Sequence, residues 1–358
     1  MPSLKEIKGR INSISSTLAI TSAMKMVAAA KLQKAQMAIQ NMLPYERRLH
    51  SMLIDLMGAM NISAAASEDG SVRGSGSAER GFDQSGDRLS LSNRHDLAGM
   101  DGAYSLMAQR EVRKVAIVAF ASNSSLCGAF NSNAIREATA VINEYRASGL
   151  GDADITVYSV GRKMAEAMKK LGFPSPADFT KMSDSPSYDA ASALAQELFD
   201  GFVSGRFDKV ELVYNHYKST SSQPTTRQTY LPLSLADATA DIQVGKITDS
   251  ASESDTNRGA EPVGAPVVRQ GSPTTEDLIV EPSKEELIAT LLPKVVRLHV
   301  FTTLLDSAAA EHAARTVAMQ LATDNGNDLL QELTLEYNKG RQQKITSEIL
   351  DLVGGSMQ

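Results

Sequence analysis

The sequence predicts an α/β chain in which long helices at the two termini coil around each other, with a Rossmann-like domain inserted between them. Three observations carry that expectation. Apolar residues recur at alternating spacings of three and four at both ends of the chain, the pattern of a helix that buries one seam. Between the ends, short β-type apolar runs alternate with helical stretches, which is the order of a parallel sheet covered by helices. Two segments rich in Ser, Gly, Asp, Glu and Thr, without sustained periodicity, separate these parts.

The first seam reads Ile7, Ile11, Ile14, Leu18, Thr21, Lys25, Ala28, Leu32, Ala35, Ile39, Met42, Glu46, Leu49, Leu53 and Leu56. Its mean period of about 3.5 rather than 3.6 residues implies a left-handed supercoil with a partner helix. An amphipathic helix lying on a globular core is the alternative, but the pattern is much longer than an ordinary globular helix. Pro44 removes one backbone hydrogen bond and marks a bend or weak point.

At the other end, Ser283 followed by Glu286 has the spacing of a capping box. The second seam starts at Leu287, Leu291, Val295 and Leu298, passes through Ala309, His312, Thr316, Gly326 and Gly340, and ends at Ile345, Ile349 and Leu352. Small residues along its middle let two helices approach closely. Pro293 and the run Asp324, Asn325, Gly326, Asn327 read as helix stops, whereas the seam resumes in register at Leu330 and favours continuity. Unbroken, the two helices reach about 80 Å and about 105 Å at 1.5 Å per residue.

The middle of the chain begins with a strand at Lys114–Ser122 and a loop, followed by a helix ending near Gly149. A strand at Ile155–Val160 and a helix to Gly172 come next, then a helix over Tyr188–Gly205 and strands at Val210–Tyr217 and Gln228–Leu233. The short connection before the last strand predicts an antiparallel edge on a mainly parallel sheet. The resulting division is 1–61 for the first helix, 62–111 and 240–277 for low-complexity insertions, 112–239 for the α/β domain and 278–358 for the last helix.

Composition narrows the function. The single cysteine, Cys127, excludes an internal disulfide and is simplest to read as intracellular. Lys5, Glu6, Lys8 and Arg10 interrupt any signal-peptide core, and the apolar runs fall short of the roughly 20 residues that cross a bilayer, so membrane association is expected through another protein. Residues 1–48 hold eight basic and two acidic residues in a chain of net charge -6, so the first helix seeks an acidic partner. Nucleic acid is only one candidate for that partner and none is expected here, and the absence of Trp and the few aromatics argue against single-strand stacking platforms and large aromatic ligand pockets.

The sequence carries little chemistry of its own. Neither a G-x-G-x-x-G nor a G-x-x-x-x-G-K-[ST] cradle follows a strand, so no nucleotide or other cofactor is expected. The five histidines, His50, His95, His216, His299 and His312, lack a second ligand at helical spacing, so no metal is expected. Cys127 ends a strand where a catalytic thiol could sit, but without a base nearby it reads as a packed loop residue. The run Ala23-Met24-Lys25-Met26-Val27-Ala28-Ala29-Ala30-Lys31 stands out as a slim, adaptable face with a mobile charge, although seam packing alone could account for it.

Several segments together carry a resemblance. They are Ile20–Ala29, the loop Leu126-Cys127-Gly128-Ala129-Phe130-Asn131, Glu311–Met319 with Ala322–Gly326, and Tyr337-Asn338-Lys339-Gly340-Arg341-Gln342. They resemble the gamma subunits of F-type ATP synthases of bacterial type, and the likeness covers most of the chain outside the two insertions. It implies an antiparallel left-handed coiled coil, unbroken through Asp324–Asp328, that enters a hexamer of three alpha and three beta subunits and drives the beta sites by rotation. The chain itself is then not catalytic. The resemblance places Met24, Lys25 and Arg315 toward an acidic beta-subunit lever, and Arg341, Gln342 and Thr346 toward a beta-subunit loop and bearing. Glu281 falls in a foot over the c-subunit ring, with the Cys127 loop near that foot and the epsilon subunit. It also implies a peripheral position on the cytoplasmic side of the bacterial inner membrane, held indirectly through the c ring.

The sequence departs from that family at Ser122-Asn123-Ser124-Ser125, where an Asp-Arg-Gly type sequence is usual, and at Leu18-Ala19, where polar or basic residues are common. The second insertion lies about where chloroplast relatives carry a redox segment, but it holds no cysteine, which excludes thiol control of that kind. Two rival readings are a non-rotary coiled-coil scaffold or tether and an α/β enzyme with helical extensions.

Overall fold

The computed structural model describes residues 3–68, 106, 110–233, 281 and 283–356. Helix α1 spans Leu4–Glu68 and helix α6 spans Lys284–Ser356, and the α/β domain lies between them in sequence. Each long helix opens on the same signal. Ser3 Oγ accepts from the Glu6 backbone N–H at 3.3 Å, and Ser283 Oγ accepts from that of Glu286 at 3.2 Å, as the capping spacing predicts.

The helices run antiparallel, and their register can be read from side chains. An added Cβ on Gly340 would lie 3.2 Å from Leu4 Cδ2, and one on Gly326 would lie 3.4 Å from Leu18 Cδ1. Thr323 Oγ1 donates to Thr21 Oγ1 at 3.2 Å, Lys25 Nζ to Gln320 Oε1 at 2.5 Å, and Thr302 Oγ1 to Glu46 Oε1 at 2.9 Å. Every position of the first seam is buried or half-buried. Asp324 to Asn327 stay helical because Gly326 faces Leu18 across the seam, so close packing holds a residue that in isolation favours a stop. Both prolines are likewise carried inside helices.

Three expectations need correction. First, α1 continues past the boundary set at 61 to Glu68, because Ala64, Ala65 and Ala66 are strong helix formers that the composition shift concealed. Second, Leu106, assigned to an insertion, is fully buried in the main core, and its carbonyl accepts from the Leu233 N–H at 2.9 Å. Positions 69–105 and 107–109 of the first insertion and the whole of the second, 240–277, lie outside the described residues, as do 234–239 of the α/β domain and 278–280 before α6. Third, by length and composition alone a stretch within Glu286–Val353 is apolar enough to span a bilayer, with mean hydropathy 1.4. The fold spends much of that apolar surface on packing, for Val295, Val296, Leu298, Val300, Leu304 and Ala308 to Ala310 are buried.

The α/β domain is built from β1 (Val115–Phe120), α2 (Phe130–Ala147), β2 (Ile155–Val160), α3 (Arg162–Lys170), α4 (Thr180–Asp184), α5 (Tyr188–Val203), β3 (Lys209–Asn215) and β4 (Thr225–Leu231). The sheet order is β2-β1-β3-β4, with β1 parallel to both β2 and β3 and β4 antiparallel at the edge, as the short connection predicts. One face packs on α2 and α3 through Val115, Ile117, Val141, Ile142, Met164 and Met168. The other face joins α5 to the bases of both long helices, with Leu49, Leu53 and Leu56 of α1 and Ile288, Leu292 and Val295 of α6 in one core.

A charged cluster sits inside the first of these layers. Glu211 on β3 is buried, and its carboxylate accepts from Arg227 at 2.7 and 3.1 Å, from Lys209 at 2.6 Å and from the Tyr145 hydroxyl at 2.6 Å. Burial pushes the carboxyl pKa up, yet the hydrogen bonds from Arg227, Lys209 and Tyr145 outweigh it and hold the value below the usual range. Arg227 also pairs with Glu144 on α2, so the cluster pins the edge strand to the helix layer.

Two glycines predict opposite outcomes. Gly161 has φ +98° and a Cβ there would lie 2.0 Å from the Ala121 carbonyl oxygen, so Gly161→Ala is expected to cost about 2 kcal/mol or more. Gly326→Ala has room at 3.4 Å and gains helix propensity, so it is expected to stabilise by up to about 1 kcal/mol. Thermal melting of the purified variants checks both signs.

Candidate functional site

Parallel α/β sheets bind ligands in the crevice beyond the carboxyl ends of their strands. In this chain the crevice is occupied by the protein itself. Phe120, Ala121 and Val160 at the strand ends face Leu304, Ser307, Ala308 and Glu311 of α6 across a gap of only about 10 Å³. A larger cavity of about 260 Å³ opens at the opposite, amino end of the strands, between Lys114, Asp154, Tyr158, Glu197 and Arg206. Among the described residues no group of His, Cys, Asp and Glu converges as metal ligands would.

The loop between β1 and α2 is tied on several sides. The Ser122 N–H donates to Asn131 Oδ1 at 3.0 Å, Asn123 Nδ2 donates to the Thr180 carbonyl at 2.7 Å, and the Arg162 N–H donates to Asn123 Oδ1 at 2.7 Å. Leu126 at φ 67° and Gly128 at φ 58° turn the chain tightly. Cys127 is 1% exposed and lies in a cluster with Phe130 and Ala310, so its thiol is a packed core group, as the absence of a nearby base suggested.

Arg315 on α6 is engaged within the chain. It donates to Glu311 Oε1 at 2.6 Å and to Ser124 Oγ of the β1–α2 loop at 2.7 Å, and its side chain is 15% exposed. Burial raises the Glu311 pKa while Arg315 opposes the rise. His312 beside it is pushed down to about 4 by burial, with Arg315 and Lys31 adding to the shift, so it stays neutral in the seam. Its Nδ1 has no hydrogen-bond partner.

The remaining predicted residues divide into three zones. Met24 is exposed, beside Ile20 and Val27, and Lys25 bridges to Gln320 on the same stretch of paired helices. Arg341, Gln342 and Thr346 are exposed on a part of α6 that outruns α1, with Thr346 Oγ1 donating to the Gln342 carbonyl at 2.9 Å. Glu281 is exposed just before α6. The structure does not bring Glu281 and Cys127 together. Cys127 packs at Ala310, and from there back to the start of α6 is roughly 40 Å of helix.

Ile345, Ile349 and Leu352, read as seam residues, are 48%, 54% and 74% exposed. Their pattern is helical, but pairing ends where Leu4 meets Gly340, and there is no α1 left to cover them. The signal that could have located this end was present at the other terminus, in the Ser3–Glu6 cap. Ser124 and Gln320, the partners of Arg315 and Lys25, had no sequence signal, because each contact joins residues far apart in the chain.

A long antiparallel helix pair that carries an α/β domain with its ligand crevice filled defines the class: a shaft-like coiled-coil protein with an embedded domain. The comparisons sharpen it. A family model described as ATP synthase matches residues 3–357. ATP synthase gamma chains from Phocaeicola vulgatus and Parabacteroides distasonis are 47% and 39% identical, covering 100% and 99% of both chains respectively. Among solved structures, a chain of the Euglena gracilis mitochondrial ATP synthase assembly of OSCP, F1 and c-ring matches with TM-score 0.54 at 18% identity, over 99% of this chain and 93% of that one. The chain belongs to the ATP synthase gamma-chain family.

Arg315→Ala leaves the Glu311 carboxyl buried without its guanidinium and is expected to cost about 3 kcal/mol. The pH dependence has a definite sign. A carboxyl raised in the folded state contributes stability below its ordinary value of 4.5 that is lost as pH rises through the raised value. Melting temperature should therefore fall more steeply with rising pH in Arg315→Ala than in the parent, and Arg315→Ala combined with Glu311→Gln should remove that extra slope.

Proposed function

We propose that this chain is the central rotor shaft of an F-type ATP synthase, coupling proton-driven rotation of a c-subunit ring to the conformational cycling of catalytic beta subunits, and that it carries no catalytic residue itself. One observation supports this beyond family membership. The last residues of α6, 341–356, project past the start of α1 by about 24 Å at 1.5 Å per residue. They expose Ile345, Ile349, Leu350, Leu352 and Val353. Bare apolar surface of that kind fits a tip that is sheathed by partners.

In this reading the tip, with Arg341, Gln342 and Thr346, sits inside a hexamer of alpha and beta subunits. Met24 and Lys25 face beta-subunit levers, and Arg315 supports that zone from behind by bracing loop and helix. Glu281 marks the foot toward the c ring and the epsilon subunit, while the Cys127 loop, roughly 40 Å of helix further along the shaft, presents exposed Leu126 rather than its thiol to a neighbouring subunit. The complex holds the chain peripherally on the cytoplasmic face of a bacterial inner membrane, through the c ring. A beta site is shifted only by the difference in contact energy that the shaft makes with its alternative states, so an asymmetric rod is sufficient. Single exposed ion pairs at Lys25 contribute only about 0 to 1 kcal/mol, which leaves the apolar contacts of Ile20, Met24 and Val27 to carry more of that difference.

A tagged chain is expected to bring alpha, beta, epsilon and c subunits out of solubilised membranes. Recovery without them would sink the shaft and favour a non-rotary scaffold. Met24→Lys places a charge on the exposed apolar face, and protons pumped per ATP in membrane vesicles are expected to fall roughly twofold or more. An unchanged ratio removes Met24 from the lever contact.

A further inference from the structure

Tyr217 is a residue at which the sheet domain and both long helices meet. It follows β3, at the carboxyl edge of the sheet, and its ring packs on two clusters, one of Leu32, Ala309 and Ala313, the other of Cys127, Phe130 and Ala310. Leu32 belongs to α1 and the three alanines to α6, so the ring lies between the helices and the domain. Its hydroxyl accepts from Gln36 Nε2 of α1 at 2.6 Å. Asp306 of α6 sets the backbone, taking the Tyr217 N–H on Oδ1 at 2.9 Å while Oδ2 lies 2.6 Å from His216 Nδ1.

The position of this contact gives it mechanical meaning. Toward the foot, α1 and α6 are embedded in the domain core through Leu49, Leu53, Ile288 and Leu292. Toward the tip, the seam pairs α1 with α6, at Lys25 with Gln320, Thr21 with Thr323 and Leu4 with Gly340. Tyr217 lies in the collar from which the shaft leaves the domain, a turn or two below the contacts of Arg315 with Ser124 and of Ala318 beside Gly128. There the α6 surface is a run of alanines, smooth enough to turn against a flat partner, and a bulky ring between helices is what fixes an angle. A carboxylate gripped at both oxygens holds the ring's backbone to α6.

We propose that Tyr217, set by Asp306 and Gln36, is a torsional lock, a positioning residue that fixes the angle between the α/β domain and the paired helices at the collar where the free shaft begins. Twist applied to the shaft passes through it to the domain instead of being absorbed by helices turning past the sheet. This rests on the rotary reading, and the carboxyl edge that other α/β domains give to ligands serves here as that collar.

The test uses the assembled complex. A rod is attached through Lys170→Cys on α3, an exposed position of the α/β domain, and its angular spread during pauses is recorded while the shaft tip is held by the alpha–beta hexamer. Tyr217→Ala is expected to broaden the spread about twofold while ATP hydrolysis and melting of the complex stay close to those of the parent. Tyr217→Phe keeps the wedge and should restore most of the parent's stiffness, which a general loss of stability would not separate from Tyr217→Ala. If Tyr217→Ala does not assemble, Asp306→Ala, which frees the hairpin backbone from α6, is measured in its place and should broaden the spread as well. A spread equal to the parent's in the assembled variant overturns the lock. A parent complex whose labelled domain never rotates overturns the rotary reading instead.

Discussion

Neither long helix can bury its seam alone, and the pairing of α1 with α6 is the constraint from which the rest follows. The contacts join the first and last parts of the chain, Leu4 to Gly340 and Leu18 to Gly326. Bringing such distant segments together costs loop-closure entropy before any contact repays it. The domain core supplies the way around that cost. It holds Leu49, Leu53 and Leu56 of α1 beside Ile288, Leu292 and Val295 of α6, so folding of the domain sets the helix bases side by side. Pairing can then proceed outward, each turn closing a short gap rather than spanning the whole chain.

The same arrangement explains why a Rossmann-like sheet here has no room for a ligand in the usual crevice. α6 lies across the carboxyl ends of β1 and β2, and Arg315 ties the β1–α2 loop to the helix through Ser124. Gly161 allows the strand ends to close tightly, with the Ala121 carbonyl where a side chain would begin. A fold that elsewhere offers a crevice thus offers a socket. The buried Glu211 cluster, which fastens β4 to α2 through Arg227, keeps the far side of the domain rigid enough to hold it.

Much of this was legible in the sequence wherever a period or a local signal carried it. The seam from Ile7 to Leu56, the Ser283 cap, the succession of strands and helices and the antiparallel edge all come from spacing or from connection length, which are local properties. The parts that stayed hidden depend on where distant segments end up. Ile345, Ile349 and Leu352 have a seam pattern but lack a partner, because the register of an antiparallel pair is fixed at its far end. Leu106 is one apolar residue in a polar stretch, and only the assembled core reveals its place. Arg315 was picked out by resemblance, yet its guanidinium faces inward to Glu311 and Ser124, a geometry that no spacing encodes.

The exposed surface of the pair has its own logic. A rod that influences partners must present different faces to them, and it must deform less than they do. The helix pair meets the second condition through continuity: Pro44, Pro293 and the Asp324–Asn327 run all lie within uninterrupted helix, so twist is not lost at a hinge. It meets the first through unevenness. Ile20, Met24 and Val27 of α1 leave apolar side chains open to solvent, while Val317 and Leu321 do so on α6, and the tip beyond Gly340 is a single helix rather than a pair. Met24 and Met26, the exposed unbranched side chains of that face, adapt to successive shapes at low cost beside the stiffer Ile20 and Val27. A surface of that kind can meet several partner conformations in turn, with the axis behind it held fixed by the seam.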